Sequence, residues 1–291
     1  MASMRSIKRR RESVQSTQQI TKAMKLVSTV KLQRAKARAE QSKSYFHNMY
    51  DTVRAILVRA GSIQHPYLNI PEGRKKAVIM ITSNRGLAGG YNSNVIKLLT
   101  RSTEFTPENT VVYAIGKKGK DSLKKAGFEI AGDYSDVIEE PIYVDAMTIV
   151  KDVLTDFAEG KIGEIYLAYT AFKNTVSHIP TVLQLLPVDP EGSGVEEDEN
   201  GRPADKLLMN FEMDDEEAIS LLIPKYMSSL VFGGMVEAIA SENGARMQAM
   251  DSATSNAEDM ISALSLQYNR ARQSSITQEL TEIIAGAEAI S

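Results

Sequence analysis

The sequence contains no cysteine and no tryptophan. Without cysteine there can be no disulfide staple, no thiolate metal site and no thiol switch. Histidine is nearly missing as well. His47, His65 and His178 stand far apart with no partner at helical spacing, which argues against a metal centre. From Ser3 to Arg59 there is neither glycine nor proline, so nothing in that stretch punctuates a helix. No segment approaches the roughly 18 consecutive apolar residues of a membrane-spanning helix. The opening "MASMRSIKRRRESV" is basic but has no apolar run behind it, unlike a secretory leader. These absences lead to the expectation of a non-secreted chain without a transmembrane segment, working on the cytosolic side.

What is present is unevenly distributed. The 291 residues carry a net charge of only -3. Yet Met1–Lys43 holds twelve Lys or Arg against Glu12 and Glu40, and Asp189–Glu217 holds twelve acids against Arg202 and Lys206. Charge blocks of this kind form solvated faces, or electropositive surfaces suited to an acidic partner.

Three regions follow from the patterning. Residues 1–59, rich in Lys, Arg, Gln, Ala and Met, form one long helix of roughly 85 Å at ~1.5 Å per residue. Residues 75–213 alternate strand and helix. "KAVIMITSN", "TVVYAIG", "EIYLAYTAF" and "TVLQLLPV" are short apolar runs with β-branched residues, hence buried strands, with helical stretches between the first three. This is a Rossmann-like α/β pattern. The last two strands have no helix between them and fit an antiparallel edge. "LLMNFEM" suits a further strand, and the acidic segment 189–206 a flexible loop. Residues 214–291 are helical again, with Pro224, Gly233, Gly234 and Gly244 as weak points. Met250, Ala253, Ala257, Met260, Leu264, Gln267 and Ala271 recur at steps of three and four, the spacing of a coiled-coil seam. Its small side chains let a partner helix approach closely, and the first helix is the natural partner. The fold class is therefore α/β: a long antiparallel coiled coil of the two terminal helices with a Rossmann-like domain inserted.

The chemical motifs are weak. "SNRGLAGG" (Ser83–Gly90) follows a strand and could present amides to a phosphate. It lacks the spacing and the lysine of a phosphate-binding loop, and "GKKGK" (Gly116–Lys120) lacks the spacing too. A tight strand-to-helix turn accounts for both. No nucleophile elbow and no nucleic-acid motif accompany the basic helix, whose charges cover every face. No residue presents itself as catalytic, and no cofactor is implied. The closing stretch "ITQELTEIIAGAEAIS" is different. Ile276, Leu280, Ile283, Ile284 and Ala287 form an apolar stripe at a chain end, where polar fraying is the rule.

Taken together, these stretches resemble the gamma subunit of F-type ATP synthases of the bacterial type. "IKRRRESVQSTQQITKAMKLVSTVKLQRA" is similar to that family's opening helix, and "ITSNRGLAGGYNSN" to the start of its central domain. "ASENGARMQAMDSATSNAEDMI" and "YNRARQSSITQELTEIIAGAEA" are similar to its last helix. The family usually has Asp and Cys where this chain has Asn84 and Ala88, and the acidic loop is longer than usual.

The resemblance implies a non-catalytic rotor shaft. It couples rotation of a membrane c-subunit ring to ATP synthesis or hydrolysis in a ring of three alpha and three beta subunits, with an epsilon subunit as further partner. It places the protein peripherally on the cytoplasmic face of the cell membrane. Arg272, Gln273, Thr277 and Glu279 match positions that meet the beta catch loop, and Met24 a position that meets the beta lever. Lys22, Lys25 and Arg10 would face acidic lever segments. Phe211 and Glu212 match the foot that meets the c ring and epsilon. The stripe from Ile276 to Ala287 would sit in a hydrophobic bearing. Two other readings fit the residues alone: a coiled-coil adaptor with an α/β domain, and a nucleotide-binding enzyme with helical arms.

Overall fold

The computed structural model describes residues 4–59, 65–68, 73–188 and 215–288. The acidic segment 189–206, the expected strand at 207–213, and Phe211 and Glu212 lie outside them. The chain divides into two compact units, Met1–Thr29 with Arg246–Ser291, and Val30–Ala245. Each is described by itself.

The larger unit is built on a five-stranded sheet. Strands β1 (Lys75–Ile81), β2 (Thr110–Ile115), β3 (Glu129–Asp133), β4 (Ile162–Phe172) and β5 (His178–Leu186) lie in the order β3-β2-β1-β4-β5. β1 pairs in parallel with β2 and β4, and β2 with β3. β4 and β5 run antiparallel, from Phe172 opposite His178 to Ile165 opposite Leu186. The helices α2 (Tyr91–Thr100), α3 (Lys117–Lys125) and α4 (Tyr143–Ala158) supply the crossovers. β3 escapes the sequence pattern because it sits at the sheet edge. Its exposure alternates and it has no apolar run, whereas β2 is buried along its whole length.

Alternation along β1 divides the core. Ala77, Ile79 and Ile81 face a layer formed by Ile149, Val150, Val153 and Phe157 of α4. The long helix α5 (Asp215–Glu288) adds Ile219, Ile223, Met227, Val231, Met235 and Ala238 to that layer. Val78 and Met80 face Val95 and Leu99 of α2 and Leu123 of α3. Burying a side chain of this size contributes about 1.5–3 kcal/mol, so the face shared by α4 and α5 is the main stabilising layer of this unit.

One helix runs through Pro224, Gly233, Gly234 and Gly244, the weak points of the sequence pattern. A mid-helix proline costs about 3 kcal/mol, which the burial of Ile219, Ile223 and Met227 around it offsets. Gly234 and Gly244 are places of close approach. A Cβ on Gly234 would lie 3.0 Å from Leu167 Cδ2, and one on Gly244 would lie 2.7 Å from His178 Cε1. α5 also contains an 18-residue stretch with a mean hydropathy of 1.4, long and apolar enough to cross a bilayer, contrary to the sequence reading. Its composition is that of a core helix, and 56% of the stretch is buried within the chain.

The smaller unit joins the first part of the helix α1 (Met4–Arg59) to the last part of α5. Cross-helix contacts link Gln18 to Glu258, Thr21 to Thr254 and Lys25 to Asp251, so the two segments run antiparallel.

Candidate functional site

Composition offers two places where function could reside: the glycine loop at the end of β1, and the paired helix ends with their apolar tail. The loop is closed by its own hydrogen bonds. The Ser83 N–H donates to Asn92 Oδ1 at 2.9 Å, and Asn92 Nδ2 donates to Ser83 Oγ at 2.8 Å. Asn84 uses both ends of its amide: Oδ1 accepts from the Lys117 N–H at 3.0 Å, and Nδ2 donates to the Ser135 carbonyl at 2.8 Å. At the start of α3 the Lys118 N–H donates to the Ser83 carbonyl, and the Gly119 N–H to Thr82 Oγ1. These bonds brace the ends of the loop against α3 and against the turn after β3. Ala88 and Tyr91 form a small apolar cluster with Ala245 of α5, over the same end of the sheet. The motif is a strand-to-helix turn and a seat for a helix.

The paired helix ends are built differently from an ordinary core. On α1 the buried and half-buried positions include Ile7, Arg11, Val14, Gln18, Thr21, Lys25 and Ser28. On α5 they include Met247, Met250, Thr254, Ala257, Ile261, Leu264, Tyr268 and Ala271. Both series step alternately by three and four, a coiled-coil repeat. Met250, Ala257, Leu264 and Ala271 lie on the seam as expected. The alternate positions are one residue later than the sequence reading put them: Thr254, Ile261 and Tyr268, in place of Ala253, Met260 and Gln267. Met260 is 43% exposed, and Gln267 is also exposed. The later phase buries Ile261 and the Tyr268 ring, which the earlier phase would leave in water.

The seam is rich in polar groups. Thr21 and Thr254, both buried, place their hydroxyls 2.8 Å apart. Each Oγ1 also lies within reach of a carbonyl of its own helix, Gln18 and Met250 respectively. One hydroxyl therefore donates across the seam and the other donates to its own backbone. Gln18 Nε2 donates to Glu258 Oε1 at 3.0 Å, and the Arg11 guanidinium lies over the Tyr268 ring, 5.5 Å from its centre. Lys25 is paired with Asp251 across the seam within this chain. Met24 is half-buried, while Arg10 and Lys22 are exposed. Sequence reasoning missed the threonine pair. The matching seven-residue repeat of α1, with Thr21 between Val14 and Ser28, was the signal that carried it.

Beyond the seam α5 continues alone among the described residues. Continued in the same register, Met4 falls opposite about Ala271. Past that point Ile276, Leu280, Ile283 and Ile284 are 49%, 54%, 67% and 59% exposed, and Ala287 is exposed with them. Arg272, Gln273, Thr277 and Glu279 are exposed on the same stretch of helix. The Thr277 hydroxyl donates to the Gln273 carbonyl at 2.9 Å. Ile276, Leu280, Ile283 and Ile284 thus form an exposed apolar row, and such a row marks an interaction surface. Basic and apolar residues also share the outer faces of α1, where Ile20, Leu26 and Val27 are exposed.

Comparison with known proteins agrees with this geometry. The sequence profile of the ATP synthase family matches residues 3–290. The ATP synthase gamma chain of Lachnoclostridium phytofermentans is 64% identical over 291 residues, covering 100% of both chains. A gamma chain of Acetobacterium woodii described as sodium ion specific is 40% identical over 298 residues, covering 99% of this chain and 98% of that one. Among solved structures, a chain of the Euglena gracilis mitochondrial ATP synthase, from an assembly of OSCP, F1 and c-ring, matches with a TM-score of 0.63. It is 19% identical, covering 99% of this chain and 94% of that one, and shares the fold.

Proposed function

The chain belongs to the ATP synthase gamma chain family, and on that premise we propose that it is the rotor shaft at the centre of an alpha–beta ring. The observation that carries the reading is the apolar stripe Ile276, Leu280, Ile283 and Ile284. It is left in water at the end of a slim two-helix rod, where a surrounding sleeve of subunits would bury it. The shaft turns with a c-subunit ring and couples that rotation to ATP synthesis or hydrolysis on the alpha and beta subunits. Chemistry takes place on those partners. This chain supplies an asymmetric surface that each beta subunit meets differently at each angle. Coupling of two sites requires such a difference in contact free energy between states.

On this reading the exposed Arg272, Gln273, Thr277 and Glu279 engage a beta catch loop, and Met24 meets a beta lever. The stripe ending at Ala287 runs in the bearing. Phe211 and Glu212 meet the c ring and an epsilon subunit. The basic faces around Arg10 and Lys22 attract acidic partner segments, each exposed pair contributing about 0.2–1 kcal/mol. The assembled machine is membrane-associated through the c ring, and this chain lies at the cytoplasmic face. The coupling ion is chosen in the c ring.

The test is reconstitution with alpha and beta subunits, following complex mass and ATP hydrolysis together. One copy of this chain per hexamer, with activity that depends on it, is the expected result. Failure to assemble, or self-association without alpha and beta, would make the chain an adaptor instead.

A further inference from the structure

Among the described residues, the buried side-chain nitrogen and oxygen atoms without a hydrogen-bond partner belong to two residues only, Thr170 and His178. Both lie where β4 meets β5 at the hairpin end of the sheet, Thr170 opposite Pro180 and His178 opposite Phe172. Buried polar atoms are paired in the large majority of cases, so two such residues together single out this end of the sheet. The His178 ring carries both unpartnered nitrogens. It rests on the bare backbone of α5 at Gly244, where even a methyl group would come within 2.7 Å of it. The Phe172 ring lies 6.0 Å away between centres, and the Lys36 ammonium of α1 stands 5.5 Å from that same phenyl ring. One row of groups thus ties α1, β4, β5 and α5 within this unit: Lys36, Phe172, His178, Gly244.

We propose that His178 is a proton-operated latch holding the β4–β5 hairpin against α5. As a neutral ring it fills the notch at Gly244 as an apolar body. A proton added to it would place a second cation beside Phe172, already faced by Lys36, with no acceptor in bonding distance of either nitrogen. The charged groups on the surrounding elements include Lys36 on α1, Lys173 at the hairpin, and Glu237, Glu242 and Arg246 on α5. The Glu237 carboxylate accepts from the Phe172 N–H at 3.3 Å. Burial holds the His178 pKa below the ordinary histidine value, so the folded hairpin favours the neutral form. For a base with a depressed folded pKa, docking is at full strength above the unfolded value of about 6.5. It weakens as pH falls through the window below that value. What the latch positions is the hairpin tip, where Val176 and Ile179 are 76% and 44% exposed. This inference concerns the chain itself and holds whether or not the rotor reading does.

The test uses the full-length chain. Amide hydrogen exchange of residues 173–180 is followed from pH 7.5 to 5.0 and corrected for the intrinsic rate. Opening is expected to rise by up to about tenfold per pH unit inside the window. In His178→Phe, which keeps a ring of similar size, it stays flat. An equal rise in the variant, or no rise in the wild type, overturns the latch. The chain has three histidines, so the His178 ring proton can also be titrated by NMR in the wild type, independently of whether any variant folds. A midpoint below 6.5 supports the latch, and one at or above 6.5 overturns it.

Discussion

Asn84 shows how one atom can set a local structure. Its amide accepts from Lys117 and donates to Ser135, joining the ends of β1, α3 and the turn after β3. A carboxylate can do the first but not the second. Asn84→Asp is therefore expected to cost about 1–3 kcal/mol, because two acceptors would face each other at Ser135; urea unfolding at pH 7 measures it. Gly116 is held more tightly. Its φ is +110°, and a Cβ there would lie 2.1 Å from the Thr82 carbonyl oxygen. Gly116→Ala should cost about 3 kcal/mol or more, since main chain has to move. An unfolding midpoint within error of wild type would show that the turn can relax. Neither requirement is visible in composition. "GKKGK" reads as a turn, but which glycine is indispensable depends on a carbonyl more than thirty residues away.

At the scale of elements, the coiled coil is a seam of compromise. Ala257 and Ala271 keep the two helices close, and Val14, Ile261, Leu264 and Tyr268 supply its apolar contacts. Between them the Thr21–Thr254 pair substitutes a hydroxyl bond for a hydrophobic layer. Removing one hydroxyl leaves the other without its cross-seam partner. Either Thr21→Val or Thr254→Val alone should cost about 1 kcal/mol. The double variant should be close to neutral or more stable than wild type. A double-mutant cycle by thermal unfolding reads the coupling; strictly additive singles would mean that the bond contributes nothing. The repeat itself was legible in the sequence. Its phase was half legible, because Ala253 and Thr254 are both small enough for a seam. The choice between them was decided further along, by burial of Ile261 and Tyr268.

For the whole molecule, the tail separates folding from assembly. Ile283 and Ile284 are among its most exposed apolar residues, so Ile283→Asp with Ile284→Asp should change the chain's own stability by no more than about 0.5 kcal/mol. Binding to alpha and beta subunits should weaken at least tenfold, read by titration of the complex. A drop in thermal midpoint with unchanged assembly would place the stripe in this chain's own core. Arg272→Ala with Gln273→Ala tests transmission instead. Both side chains are exposed, so helical circular dichroism should be unchanged, while ATP hydrolysis becomes less tightly coupled to ion movement in the reconstituted enzyme. Loss of helix signal in that variant would contradict the exposed placement.

The sequence by itself determined the elements. Apolar runs with β-branched residues gave four of the five strands, and the signal is strongest in β1 and β2, parallel strands buried along nearly their whole length. A long stretch free of glycine and proline marked α1, and a three-four apolar repeat marked the last part of α5. The separate motifs at the two ends and the centre, with the apolar stripe from Ile276 to Ala287, carried the family and its function. Tertiary structure alone decided the rest. The edge strand β3 has no apolar run to announce it. Pro224, Gly234 and Gly244 are weak points of the helical pattern that hold inside α5, because packing outweighs local propensity and the glycines admit Leu167 and His178. The phase of the seam, the partner of Lys25 and the isolation of His178 likewise depend on which residues of distant segments come within a few ångströms. Helical and strand periodicity are properties of neighbours along the chain, whereas a contact between segments is fixed only when both are folded.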